Sequence, residues 1–352
     1  MKTSAATKPA MVLFVLACLA SAQSLQDAQS AIGRKDYATA LRIVRPLAQS
    51  GDPVAQSVLG TMYALGYGVS RSYPEAVSWF RKAAEQGHPG SQGNLGVAYL
   101  SGQGVQRNYT EALNWLRKAA DQNDPQSQAN LASMYANGQG VAKNMAEALK
   151  WYRKAADQGV AGAQLSLGMA YAGGVGVAKN ETEATSWFRK AAEQGIAEAQ
   201  ANLGVAYAGG LGVARDPAEA VRWSSKAAQQ GLPQGQDTLR GLAEQGYAPA
   251  QNELGLSYEK GWGSLKIDAE AVTWYRRAAE QGFAAGQFNF GRMYAAGRGI
   301  RQSDVEAYRW YSLAAAQGSV DARKQLAEVA KRLTAEEIAQ AKQAAKQSQP
   351  VR

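Results

Sequence analysis

The sequence predicts an all-α fold, an α-solenoid of helix-turn-helix repeats 36 residues long, and three observations predict it. Trp79, Trp115, Trp151, Trp187 and Trp223 are each 36 residues apart, and Trp274 and Trp310 repeat that spacing. In every copy the sixth residue is Gln, from Gln56 to Gln287, and the thirteenth is Tyr, from Tyr63 to Tyr294. Glycines at positions sixteen and eighteen split each copy into two halves of helical periodicity. A fixed period in this range marks stacked supersecondary units, none of which buries its apolar face alone.

The copy Gly159 to Gln194 justifies each element. Ala163, Leu167 and Tyr171 fall four apart and line one face of a first helix, with Gly168 as a point of close approach beside them. Gly174 and Gly176, followed by Val177, end that helix in a seven-residue loop, because glycine reaches left-handed backbone angles without steric cost. From about Glu181 to Gln194, Ala184, Trp187, Phe188 and Ala191 recur at spacings of three and four in an alanine-rich second helix.

The pattern AxxNLGxxYxxGxGVxxxxxEAxxWxRKAAEQG resembles the Sel1-like repeat, a relative of the tetratricopeptide repeat with a glycine-rich loop between its helices. Seven copies carry the resemblance over residues 51–317, apart from one insertion. It implies a right-handed superhelix serving as a protein-interaction scaffold or adaptor, with no enzyme chemistry and no cofactor. Cysteine-rich relatives have been linked to β-lactam binding or hydrolysis, but their paired cysteines have no counterpart in this chain.

Taken in order, residues 1–22 combine Lys2 and Lys8, an apolar run from Met11 to Ala20, and the small-residue site Ala20-Ser21-Ala22. This pattern predicts a signal peptide cleaved after Ala22 and a periplasmic or secreted product. The sole cysteine, Cys18, would leave with the signal; acylation of Cys18 in a lipoprotein box is the competing reading. Residues 23–50 read as N-terminal capping helices, with Tyr37, Ala40, Leu41 and Val44 inward, and 51–230 as five repeats. The segment 231–245 reads as a repeat that has lost its middle, forming one helix and separating two lobes, 23–230 and 246–352. Residues 246–317 supply two further repeats, and 318–352 a closing pair of helices, begun at Thr334 by a capping box, with a fraying tail.

The chain holds 38 basic and 29 acidic residues, a net charge of +9 that falls to +7 without Lys2 and Lys8. Eleven of the cations, among them Arg81-Lys82, Arg117-Lys118 and Arg153-Lys154, recur with the period at the end of the second helix. Acidic residues such as Glu85, Asp121 and Asp157 follow four places after the first of each pair, which predicts an ion-paired, solvated face rather than a nucleic-acid surface. The single histidine, His88, reads as an exposed residue between repeats. With one histidine and no mature cysteine, neither a common zinc site nor a His-based triad assembles. The seven glutamates from Glu75 to Glu306 recur in every copy and are therefore read as structural, because catalysis needs a local constellation.

The expected binding surface is the concave side lined by the first helices. Position eight is Asn94, Asn130, Asn202 and Asn289 in four copies, and position eleven carries, among others, Met169, Leu256 and Arg292. An asparagine ladder can pair with the backbone of an extended peptide while apolar neighbours accept its side chains; pairing of these amides within the fold is the competing reading. Trp262, between the loop glycines of the sixth copy, is a further contact candidate. The functional expectation is an exported scaffold binding a protein or peptide partner in cell-envelope assembly or regulation. The alternative is a secreted, effector-like binder of a foreign receptor. No nucleic-acid partner and no transmembrane segment are expected.

Overall fold

The structure is a computed structural model that describes residues 23–347. The expected signal peptide, the acylation alternative at Cys18 and the expected fraying beyond residue 347 lie outside those residues. Among the described residues all regular structure is helical, and no helix is long and apolar enough to cross a membrane.

The third repeat shows why each half forms a helix. Asp124 caps Pro125–Asn137, its carboxylate accepting from Ser127 N at 2.8 Å, and Pro125 occupies the first turn, where its missing N–H costs nothing. Gly138, at φ +72°, ends that helix in the left-handed region. Asn144 then caps Met145–Asp157 through Glu147 N at 3.0 Å, and its own N–H closes the loop on the Tyr135 carbonyl at 2.8 Å. Residues 139–144 are thereby pinned at both ends.

The chain divides into two compact units, the first ending at Ala163 and the second beginning at Gln164. In the first, the helical residues 23–33 and the helix Tyr37–Gln49 cover the first repeat, burying Ala28, Ala31, Ala40 and Val44 against Leu59 and Met62. The second unit ends in Val320–Ala330 and Ala335–Gln347. There Thr334 and Glu337 form the expected capping box, each receiving the other's backbone N–H.

Two ladders hold neighbouring repeats together. The sixth-position glutamines are buried: Gln92 Nε2 donates to the Ala84 carbonyl of the preceding helix at 3.1 Å and receives Gln122 Nε2 at 2.7 Å. The same pairing recurs from Gln86–Gln56 to Gln317–Gln287. Buried amides satisfied in this way fix the register of the stack. The thirteenth-position tyrosines receive Arg81 at Tyr99 (2.8 Å), Arg189 at Tyr207 (2.9 Å) and Arg117 at Tyr135. The lysine after each arginine lies over a tryptophan instead, Lys82 4.1 Å from the Trp79 ring centre and Lys190 3.8 Å from that of Trp187. Among the described residues, Arg81, Arg117, Arg189, Lys82 and Lys190 therefore do not form the expected ion pairs with Glu85 and its equivalents: tyrosine hydroxyls and indole rings lie within their reach and take them first.

Glycine at position eighteen has a steric cause. At Gly104, φ +72°, an added Cβ would lie 2.4 Å from the Tyr73 carbonyl at the start of the preceding repeat's second helix. At Gly212 the distance to the Glu181 carbonyl would be 2.1 Å. The loop of one repeat thus rests directly on the backbone of the one before it.

The insertion forms one helix, Pro233–Glu244, and this helix serves two neighbours at once. Toward the fifth repeat it docks like a first helix, with Gly235 so close that a Cβ would meet the Ser224 carbonyl at 2.5 Å. Toward the sixth repeat it acts as a second helix: Arg240 donates to Tyr258 Oη at 2.8 Å, and Ala243 O accepts from Gln251 Nε2 at 3.0 Å. The glutamine ladder breaks here, because Gln236 donates to Ser264 Oγ at 2.8 Å and Gln245 accepts from Arg215 at 2.9 Å. The expected lobe boundary at 231–245 is not observed. Leu239, Leu242 and Ala243 pack with Ala220 on one side and Leu254 on the other, inside the second unit.

Candidate functional site

Two grooves open between successive first helices, each within one unit. In the first unit a cavity of about 240 Å³ lies between Pro53–Leu65 and Pro89–Ser101, with Tyr73–Glu85 as its floor. Asn94, Val97, Leu65 and the loop residue Gln103 line its walls, and Phe80 its base. In the second unit a cavity of about 350 Å³ repeats this plan between Ala161–Gly173 and Ala197–Gly209 over Glu181–Glu193. Met169, Asn202, Val205 and Leu211 line it above Phe188.

The grooves are apolar because position eleven cannot reach the core. In the helix Ala161–Gly173 the buried stripe is Ala163, Leu167 and Ala170, which turns Met169 outward at 55% exposure; Val205 and Leu211 are also exposed. Asn94, Asn130 and Asn202 make no side-chain hydrogen bond among the described residues; Asn94 is exposed, while Asn130 and Asn202 are half-buried. Asn94 and Asn202 therefore offer a donor and an acceptor beside apolar walls, whereas Asn130 lines neither cavity.

The remaining expected site residues line neither groove. Asn289 donates to Asn252 Oδ1 at 2.8 Å. Arg292 is bonded through both terminal nitrogens to Glu259, which is 2% exposed and stands where other copies carry Ala or Leu. Arg298 Nη1 reaches the same carboxylate at 2.8 Å and holds Asp268 through Nη2 at 2.7 Å, and Tyr275 Oη donates to Glu259 at 2.8 Å. Burial pushes the Glu259 carboxyl upward, but the hydrogen bonds from Arg292, Tyr275 and Arg298 outweigh it and hold the pKa at about 2. Leu256 is half-buried against the neighbouring aromatic core. Trp262 is half-buried as well, its carbonyl accepting from Ser257 Oγ. The polar groups of Arg292 and Asn289 are thus engaged within the fold, where a carboxylate introduced by Glu259 draws in the nearest cations, and Ser257 ties the backbone of the Trp262 loop to its helix.

Sequence reasoning missed the loop residues Leu211 and Gln103, which share position seventeen with Trp262. Position seventeen varies among Tyr, Gln, Val, Leu, Trp and Arg, and that variation was the available signal.

His88 is half-buried, contrary to its reading as an exposed residue. It is the N-cap of Pro89–Ser101, its Nδ1 accepting from Ser91 N at 3.1 Å. Burial lowers its pKa below 6.5 against an upward pull from Asp52, and protonation would remove the acceptor. Folding therefore favours the neutral ring. Stability is full above pH 6.5 and is lost as the pH falls through 6.5 toward the depressed folded value. An NMR titration of this only imidazole should give a midpoint below 6.5, and His88→Asn should flatten the stability slope between about pH 5 and 7 while keeping a cap. A midpoint at or above 6.5 would contradict the capped geometry.

Among the described residues no group of three or more His, Cys, Asp or Glu side chains is placed to hold a metal ion. The Sel1 repeat family model matches residues 53–88, 89–124, 125–160, 161–196, 197–232, 248–283 and 284–319, passing over the single inserted helix. The chain belongs to the Sel1 repeat family. A Sel1 repeat protein from Oxalobacter formigenes is 33% identical over 73% of this chain and 99% of its own, with a TM-score of 0.58. A protective antigen present in uropathogenic Escherichia coli strains, displaying an SLR fold, is 27% identical over 93% of this chain and 91% of its own, with a TM-score of 0.54. No curated protein matches the sequence. Sel1 repeat proteins are generally protein–protein interaction scaffolds and typically not enzymes.

Proposed function

We propose that this Sel1 repeat protein is an exported scaffold that holds an extended segment of a protein partner along its first helices, in assembly or regulation of the cell envelope. The observation that carries the reading is the groove of the fourth and fifth repeats. Met169, Val205 and Leu211 are exposed there around Asn202, whose amide the fold leaves unused. Asn202 bonds the peptide backbone while the apolar walls accept alternate side chains, so that the backbone contributes affinity and the walls select sequence.

Met169→Asp and Val205→Asp test this, because both residues are exposed and neither charge disturbs the core. Each should reduce capture of a partner from envelope extracts by tenfold or so with the melting temperature unchanged, as expected for a charge placed in an apolar contact. Leu265→Asp, at an 81% exposed position lining neither groove, should leave capture intact. Undiminished capture by both groove variants would reject the reading.

The likeness to a protective antigen supports a second reading, a secreted binder exposed to a host. Fractionation distinguishes the two: retention in the periplasm, with a mature chain starting at Gln23, fits the envelope scaffold, and accumulation in the medium fits the secreted binder.

A further inference from the structure

A different cavity, of about 360 Å³, lies at the junction of the sixth and seventh repeats and is lined by Arg276, Glu280, Phe290, Tyr294, Glu306, Arg309 and Trp310. It occupies the place of the second ladder. At earlier junctions the arginine of one repeat closes this space by donating to the tyrosine of the next, as Arg81 does to Tyr99, Arg189 to Tyr207 and Arg240 to Tyr258. Arg276 and Tyr294 hold the equivalent positions and do not bond. The residue before the periodic tryptophan is Arg309 here and Arg222 in the fifth repeat, where Arg189 nevertheless bonds Tyr207. Arg309 pairs with Glu306 at 3.1 Å, stacks 4.9 Å from the Trp310 ring centre and lines the cavity beside Arg276.

Three polar side chains here make no hydrogen bond or ion pair among the described residues: the guanidinium of the exposed Arg276, the carboxylate of the exposed Glu280 and the hydroxyl of the half-buried Tyr294. Burial raises the pKa of Tyr294, so its hydroxyl stays a protonated donor. The wall behind them is aromatic, with the Phe290 ring centre 4.9 Å from that of Tyr294 and 5.1 Å from that of Trp310. Among the described residues the Trp310 indole N–H is buried with no partner, as is that of Trp274, whereas Trp151 and Trp223 give theirs to Glu147 and Glu219. Glu306, its counterpart, is occupied by Arg309.

We propose that this cavity binds a small zwitterion of the α-amino acid class. Arg276 and the Tyr294 hydroxyl hold the carboxylate, Glu280 receives the ammonium group, and the ring of Tyr294 walls the side chain. One unused cation and one unused anion on the same helix match a ligand carrying both charges, and a guanidinium takes a carboxylate through two parallel hydrogen bonds. The proposal is independent of the peptide grooves, which share none of these residues.

The test is an NMR titration of the full chain with each of the twenty L-amino acids at millimolar concentration, following the Trp310 indole N–H, which is assigned by its loss in Trp310→Phe. At least one amino acid should shift that signal saturably, and Arg276→Gln and Glu280→Gln should each weaken binding by about tenfold or more with the melting temperature unchanged. The N-acetylated form of the same amino acid, which lacks the ammonium group, should bind Glu280→Gln and the parent chain equally weakly. Equal binding of the acetylated and free forms by the parent chain would overturn the zwitterion assignment. Absence of a saturable shift with every amino acid would overturn the site.

Discussion

Trp151→Ala should lower the free energy of unfolding by about 3–5 kcal/mol, the cost of truncating a large core side chain whose surroundings collapse only partly. Trp151 is 8% exposed and packs in one cluster with Leu116, Leu131, Met134, Tyr135 and Ala148. Its indole N–H donates to Glu147 at 3.1 Å, and Lys154 lies 4.1 Å from its ring centre. Trp151→Phe should cost less, because it keeps an aromatic ring in the cluster and removes a single hydrogen bond worth about 1 kcal/mol, along with some ring area. Urea denaturation followed by circular dichroism measures both. A change under about 1 kcal/mol for the alanine variant would place the tryptophan ladder outside the core.

Glu259→Ala should destabilise the second unit by about 3 kcal/mol, the low end for breaking a buried pair, since Arg292 and Arg298 are each a third exposed and can turn toward water. The loss comes from two guanidiniums left side by side and from a Tyr275 hydroxyl stripped of its acceptor in a fully buried position. The pH dependence supplies a second readout. A carboxyl held at about 2 against an ordinary 4.5 contributes stability that is full above 4.5 and lost as the pH falls toward 2. Glu259→Gln should remove that acid-side slope. A variant as stable as the parent, with its acid slope intact, would show that the network does not hold this part of the stack together.

Most of the fold was legible because a solenoid states its contacts in the sequence as a period. Helix ends followed from local chemistry, as at Asp124, Pro125, Gly138 and Asn144, where capping and left-handed backbone need only the neighbouring residues. The ladders were visible as invariant positions, but their partners were not. A glutamine at position six looks the same whether it faces water, as most glutamines do, or a carbonyl of the preceding repeat, as Gln92 does. The lining of the grooves was legible by halves. Asn94, Asn202 and Met169 stand in grooves as their helical positions suggest, while Asn289 and Arg292, at the same two positions of another copy, are drawn into the fold by Asn252 and Glu259.

The sequence by itself determined the repeat, its two helices, the loop that joins them and the single helix at 231–245, since each depends on periodicity and on residues near one another in the chain. Only the tertiary structure decided which variable positions remain open. Arg189 bonds Tyr207 while the equivalent Arg276 and Tyr294 do not bond, a difference that the period does not show. Whether Arg292 faces a partner depends on a carboxylate contributed by another repeat. Charged groups choose partners by distance and burial, and a period places positions without saying which of them will be claimed by a neighbour.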